Sequence, residues 1–153
     1  MNYSELVRTL RALDLTVFTA ESCTGGLIAK KITDIPGASE VLNGGIVSYT
    51  DRIKEKLLGV KPETIENHTA VSAETAAEMA AGAERYADIG VSVTGYASEW
   101  NGCEVGLVYI GISFGGRTAV TENRFSGTRD EIRNAAADTA AELIMKMISS
   151  VPV

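Results

Sequence analysis

The sequence predicts an α/β protein: a three-layer α/β/α sandwich whose mostly parallel sheet carries one antiparallel hairpin. Three observations carry that expectation. Short β-branched apolar runs at 15–20, 44–50 and 89–95 alternate with helical patterns, an order that builds parallel strands with helices between them. The segment VGLVYIGISFGGRTAVTENRF holds two further strands around Gly115-Gly116, a dipeptide suited to a tight hairpin. The 153 residues show no internal repeat, low-complexity tract or linker, so residues 1–153 are read as one domain around one core.

The elements follow in order. YSELVRTLRAL sets Leu6, Leu10 and Leu13 on one helical face, with Ser4 as its cap. LTVFTA (15–20) is a buried-type strand, and TGGLIAKKITDI a helix that Pro36-Gly37 ends. GGIVSYT (44–50) is the second strand. DRIKEKLLGV (51–60) is a helix with Asp51 as cap and Gly59 as stop. KPETIENHTAV makes a short helical turn. SAETAAEMAAGAERYAD is a strong Ala-rich helix capped at Ser72, with Met79, Ala83 and Tyr86 on one side. IGVSVTG (89–95) is a third buried strand. After the hairpin, TRDEIRNAAADTAAELIMKMISS closes the chain as a long amphipathic helix with Ile132, Ala136, Leu143 and Met147 facing the core.

Composition narrows the function. Hydrophobic residues at 45% and charged residues at 22% are the balance of a globular chain. A net charge of −6 argues against nucleic-acid binding, which needs a basic face to neutralise phosphates. Cys23 and Cys103 make neither a disulfide framework nor a zinc spacing, so a reducing compartment is expected and no metal is implied. The N-terminus lacks the pattern of a secretory signal, and no apolar run reaches the roughly 18 residues that span a bilayer. The expectation is a cytoplasmic protein without a membrane partner.

Active sites in such sheets lie at the carboxyl ends of strands, and three loops qualify: 20–26, 48–54 and 94–104. In the first, the amides of Thr24, Gly25 and Gly26 sit at a helix start and could accept a phosphate, carboxylate or oxyanion. Ser22 could be a nucleophile if a base reached its hydroxyl; Ser22 or Thr24 could equally be a helix cap. Cys23 is a second nucleophile candidate, but its one available histidine partner, His68, falls in a surface turn. The second loop offers Ser48, Tyr49 and Lys54. Lys54 is either a solvated surface residue or, if turned over the strand end toward Ser22, a general base with a lowered pKa. Tyr49 could hydrogen-bond an oxyanion, relay a proton, or pack at the sheet edge. In the third loop Trp100 could stack on a planar ring or cover the core. Arg129 and Arg133, one turn apart, could bind a phosphate bidentately or form surface ion pairs with the neighbouring Asp130 and Glu131.

TAESCTGGLIAKKITDIPGASEVLNGGIVSYTDRIKEKLLGV resembles the opening half of the C-terminal domain of the competence/damage-inducible CinA proteins. The likeness continues through HTAVSAETAAEMAAGA, VSVTG, VGLVYIGI and RDEIR, nearly the whole chain. ESCTGG, its spacing to V-S-Y and the following K-x-x-L-x-G-V are together specific. The stand-alone form of that domain is a nicotinamide mononucleotide deamidase, so the resemblance implies an α/β/α amidohydrolase without cofactor or metal. Its expected partners are a pyridine nucleotide and further copies of itself. It assigns Ser22 as nucleophile, Lys54 as base and Tyr49 as an assisting residue. It also places Thr24, Gly25 and Gly26 at an oxyanion or phosphate, matches Thr94-Gly95 to the family's T-G, and sets Arg129 near the nucleotide phosphate. Ser48 falls in the V-S-Y stretch of the substrate pocket. The chain departs where the family usually reads T-G-I-A-G-P, a Gly-Gly stretch and K-P-V-G: here TGYASEWNGCEVG stands instead. HTAVS also replaces a usual H-G-A-V-S. Two functions follow from the sequence: deamidation of nicotinamide mononucleotide or a related pyridine nucleotide, or a silent nucleotide- or anion-binding module with an altered 96–104 loop.

Overall fold

A computed structural model describes residues 3–150. Six α-helices and five strands follow one another as α1 (Tyr3–Ala12), β1 (Val17–Glu21), α2 (Leu27–Thr33), β2 (Leu42–Val47), α3 (Asp51–Leu58), α4 (Pro62–His68), α5 (Ala73–Glu84), β3 (Ile89–Gly95), β4 (Leu107–Phe114), β5 (Arg117–Arg124) and α6 (Arg129–Ser149) among the described residues. The sheet order is β2-β1-β3-β4-β5. β1 pairs in parallel with both β2 and β3, while β4 runs antiparallel to β3 and to β5. Helices α1, α2 and α6 pack together on one face of the sheet, and α3, α4 and α5 on the other, which completes the three layers.

The expected elements are all present, with shifted ends. Ser4 lies inside the first turn of α1 rather than capping it, and Leu13 falls beyond the helix and is exposed. The cap of α3 is Thr50, whose hydroxyl accepts the Ile53 amide at 3.3 Å, not Asp51. Ser72 caps α5 as expected, accepting the Thr75 amide at 3.2 Å. Tyr86 sits past the end of α5 and stacks against Phe18 instead of entering the core.

The main core lies between the sheet and α1, α2 and α6, built from Leu6, Leu10, Ile28, Ile32, Ile110, Ile132 and Ile144, all buried. The opposite layer is thinner because α5 presents alanine and glycine to the sheet. The serine hydroxyl of Ser92 on β3 donates to the Ala76 carbonyl of α5 at 2.6 Å, a contact only small residues permit. A Cβ on Gly90 would lie 2.2 Å from the Ala80 carbonyl oxygen, and one on Gly82 2.0 Å from that of Leu58. The glycines let α5 touch β3 and α3 backbone to backbone, so the alanine-rich sequence serves close packing as well as helix propensity.

Connectivity places the site. From β1, second in the sheet, the chain moves outward to the edge strand β2 through α2 on one face, then back past β1 to β3 through α3–α5 on the other. That reversal is a switch point, where a crevice opens at the carboxyl ends of the strands. The strands are also in register here: Glu21 is level with Val47 on β2 and Val93 on β3. Ser22, Ser48 and Thr94 are therefore the next residues on three adjacent strands. Gly82→Ala should destabilise the fold by about 1–3 kcal/mol through overpacking of α5 on α3, measured by denaturant unfolding. An unchanged midpoint would show that the two helices can separate freely.

Candidate active site

Ser22 leaves β1 with its amide still bonded to the Val93 carbonyl, at 2.9 Å. Its own carbonyl then accepts the Gly25 amide at 3.0 Å, closing a turn that needs positive φ at Gly25 (61°) and Gly26 (104°). The side chain stays largely buried. One turn into α3, Lys54 points back toward the helix start, as long helical side chains do. Its Nζ donates to the Ser48 carbonyl at 2.8 Å and reaches Ser22 Oγ at 3.2 Å. Lys54 is 2% exposed and, among the described residues, has no carboxylate within ion-pairing distance. Burial pushes its pKa below the ordinary lysine value, with the Asp51 charge opposing that shift only in part.

Ser22, Cys23 and Lys54 open onto a cavity of about 440 Å³, a volume within the ordinary range for small-molecule sites. Tyr49 and Asp51 line it from the second loop, Ala70 and Val71 from the turn before α5, and Thr94 to Trp100 from the third loop. Arg129 enters from the start of α6. The Arg129 guanidinium donates to the Ser98 hydroxyl at 2.6 Å and the Tyr49 hydroxyl at 3.1 Å. Tyr49 thus accepts from Arg129, and its own proton remains to be donated. Trp100 is 69% exposed at the rim rather than covering the core. Thr94 turns its hydroxyl away onto the Ala70 carbonyl, at 2.8 Å, and so joins the third loop to the wall before α5.

Several expected roles change. Thr24, Gly25 and Gly26 do not line the cavity. The start of α2 is closed by Glu21, whose Oε1 accepts the Thr24 hydroxyl at 2.7 Å and the Ile28 amide at 2.8 Å while Oε2 accepts the Ala29 amide at 3.0 Å. An internal carboxylate occupies the helix end where an anionic ligand was expected, and neither Ser22 nor Thr24 caps that helix. Ser48 is fully buried and off the cavity; its carbonyl holds Lys54 instead of touching ligand. Arg133 bonds the Cys23 and Thr24 carbonyls at 3.0 and 3.1 Å; it does not line the cavity beside Arg129 and, among the described residues, has no carboxylate within ion-pairing distance. The Cys23 thiol is pushed up to about 12 by burial, which removes the thiolate, and His68 lies outside, 3.8 Å from Glu74.

The sequence reading missed Glu21, Asp51, Tyr96 and Glu99. Glu21 alone carried a signal: a carboxylate closing an apolar strand just before a Gly-Gly helix start. Among the described residues no cluster of three His, Cys, Asp or Glu could hold a metal, and no helix is long and apolar enough to cross a membrane.

The chain matches the family model described as the CinA C-terminal domain over residues 2–148. It is 46% identical over 140 residues to a competence-damage inducible protein of Acetivibrio thermocellus, covering 88% of this chain and 34% of that one. It is 46% identical over 148 residues to a CinA-like protein of Kosmotoga olearia, covering 94% and 36%. The chain therefore spans about a third of the length of these curated relatives. Among solved structures, the competence/damage inducible protein CihA of Agrobacterium tumefaciens superposes with a TM-score of 0.88 at 39% identity, covering 95% of each chain. The competence damage-inducible protein A of Klebsiella pneumoniae gives 0.92 at 29% identity, covering 99% of this chain and 100% of that one.

Two expectations follow from the site's energetics. Between the lowered pKa of Lys54 in the folded state and about 10.4, the unfolded chain holds a proton that the folded chain has released, so folding gains stability as pH rises through that window. Thermal unfolding from about pH 7 to about pH 10 should move in favour of wild type relative to Lys54→Met; parallel curves would contradict a depressed Lys54. Thr69, beside the cavity wall, has φ 73° and ψ 169°, a region open essentially to glycine alone. Thr69→Gly relieves about 1–3 kcal/mol of strain against about 0.5–1 kcal/mol of added chain entropy and the lost hydroxyl bond to the Val71 carbonyl, so a net gain of about 1 kcal/mol is expected in denaturant unfolding; a loss of stability would mean the strain is absent.

Proposed function

This chain belongs to the CinA C-terminal domain family, and we propose that it is an amidohydrolase that deamidates nicotinamide mononucleotide, or a closely related pyridine nucleotide, through a Ser22–Lys54 dyad. The observation that carries this reading is the buried Lys54 amine 3.2 Å from Ser22 Oγ at the floor of the cavity. A lysine kept out of water reaches its neutral form at a lower pH, and the neutral amine has a lone pair for the serine proton.

Neutral Lys54 takes the proton from Ser22 Oγ as the oxygen attacks the carboxamide carbon. The Ser48 carbonyl holds one amine hydrogen throughout, which keeps the lone pair aimed at Ser22. Negative charge developing on the carboxamide oxygen is met by the Tyr49 hydroxyl, whose own acceptance from the Arg129 guanidinium polarises it toward donation. The proton on Lys54 passes to the departing nitrogen, and ammonia leaves. Water, deprotonated by the same amine, then attacks the acyl-serine carbon, and Lys54 returns that proton to Ser22 Oγ as the C–O bond breaks and the acid is released. The opposite end of the ligand, with its phosphate, falls to Arg129, while the exposed ring of Trp100 offers a face to a planar base.

The test is ammonia release from nicotinamide mononucleotide by the wild-type protein, Ser22→Ala and Lys54→Met. Turnover in wild type with a loss of at least about a thousand-fold in both variants is expected for residues that act as one unit. The activity should rise with pH along a limb set by Lys54, below the ordinary lysine value. Folded wild-type protein that binds the nucleotide without releasing ammonia would overturn the enzyme reading and leave a nucleotide-binding module shaped by the altered third loop.

A further inference from the structure

The dyad is assembled across two loops, and two buried or half-buried charges outside the cavity, Glu21 and Arg133, grip the residues between them. Glu21 is 1% exposed and lies directly before the nucleophile. Its carboxylate accepts the Thr24 hydroxyl and the first free amides of α2, and its own carbonyl accepts the Ser48 amide at 2.8 Å. Ser48 in turn presents its carbonyl to Lys54 Nζ. Arg133 approaches the same turn from α6, donating through Nε to the Cys23 carbonyl and through Nη2 to the Thr24 carbonyl. Thr24 is thus held by its side chain from one direction and by its backbone from another. Ser22, whose hydroxyl must face Lys54, is the residue just before this clamped pair.

We propose that Arg133 and Glu21 are positioning residues for the Ser22–Lys54 pair, an inference that rests on the dyad reading above. Arg133 contributes more than packing. Two charge-assisted bonds to consecutive carbonyls fix the peptide planes that follow the nucleophile, and the fork of a guanidinium matches them as a single ammonium cannot. Without it, the turn keeps Glu21, the strand ladder and its local amide bonds, but loses its tie to α6 through the Cys23 and Thr24 carbonyls. Ser22 Oγ then samples positions away from Lys54. A displacement of about 1 Å at a reacting atom can cost about a hundred-fold in rate. Of the cavity-lining residues Arg133 bonds Cys23, and that through the backbone carbonyl; it does not bond Tyr49, Trp100 or Arg129, which are assigned to the ligand, so ligand binding should be spared.

The experiment compares wild type, Arg133→Met, Arg133→Lys and Glu21→Gln in two assays, after circular dichroism has shown each variant folded. One assay takes kcat and KM for ammonia release from nicotinamide mononucleotide. The other takes the rate at which a fluorophosphonate probe modifies Ser22, read by intact mass. For Arg133→Met the expected result is a fall in kcat of about 10- to 100-fold with KM within about two-fold, and an equal fall in the labelling rate. Arg133→Lys, which keeps the charge and one donor, should recover part of both and remains informative if the methionine variant does not fold. Glu21→Gln should lower both rates. Unchanged rates per folded molecule, or a loss confined to KM, would overturn the proposal. If wild type is labelled but does not release ammonia, the substrate assignment fails while the labelling rates still decide the positioning role. If wild type is neither labelled nor active, the dyad and this inference fall together.

Discussion

A lysine amine taken out of water with, among the described residues, no carboxylate within ion-pairing distance is the constraint around which this structure is arranged. Lys54 keeps two oxygens, the Ser48 carbonyl and Ser22 Oγ, as the only partners recorded for its Nζ among the described residues. Such burial costs stability rather than adding to it, because two neutral acceptors do not replace the hydration of a full charge. The fold bears that cost by placing the lysine one turn inside a helix whose start is fixed by the Thr50 cap and whose end is set by Gly59 in the left-handed region. The helix fixes the direction of the side chain, and the strand end below it supplies the two oxygens.

Those oxygens depend on register. Glu21 is level with Val47 and Val93, so Ser22, Ser48 and Thr94 follow on one line across three adjacent strands. A slip of one residue in either pairing would turn Ser22 or Ser48 toward the opposite face, since side chains alternate along a strand. Glu21 serves both sides of this junction. Its carboxylate completes the start of α2, a helix of seven residues with no side-chain cap of its own, and its backbone pairs with Ser48. The helix end that resembles an anion site in the sequence is satisfied from within the chain.

The cavity owes its walls to segments far apart in sequence. Arg129 on α6 meets Tyr49 after β2 and Ser98 after β3, so one guanidinium joins two connections to the start of α6. The third loop, TGYASEWNGCEVG, forms one side of the cavity. It supplies Tyr96, Ser98, Glu99 and Trp100 to the lining, with Trp100 outward at the rim. On the other side α5 sits close against β3 because Gly90 admits no side chain, and the Thr94 hydroxyl ties the end of β3 to the Ala70 carbonyl in the turn before α5.

The order of strands and helices, the hairpin at Gly115-Gly116, the Ser72 cap and the Gly59 stop were legible from periodicity and turn chemistry, because those are local properties of the chain. The pairing of Ser22 with Lys54 was suggested by a family motif and by loops at strand ends, while spacing alone left Lys54 open between surface and site. Tertiary structure decided what depends on neighbours distant in sequence. It turned Ser48 from ligand contact to lysine holder and made Arg133 a clamp on the Cys23 and Thr24 carbonyls. It also exposed Trp100 and filled the α2 amides with the Glu21 carboxylate. Local sequence determined which elements form; only the three-dimensional packing decided which polar group each buried charge meets, since a hydrogen bond across 32 or 110 residues leaves no periodic trace in the chain.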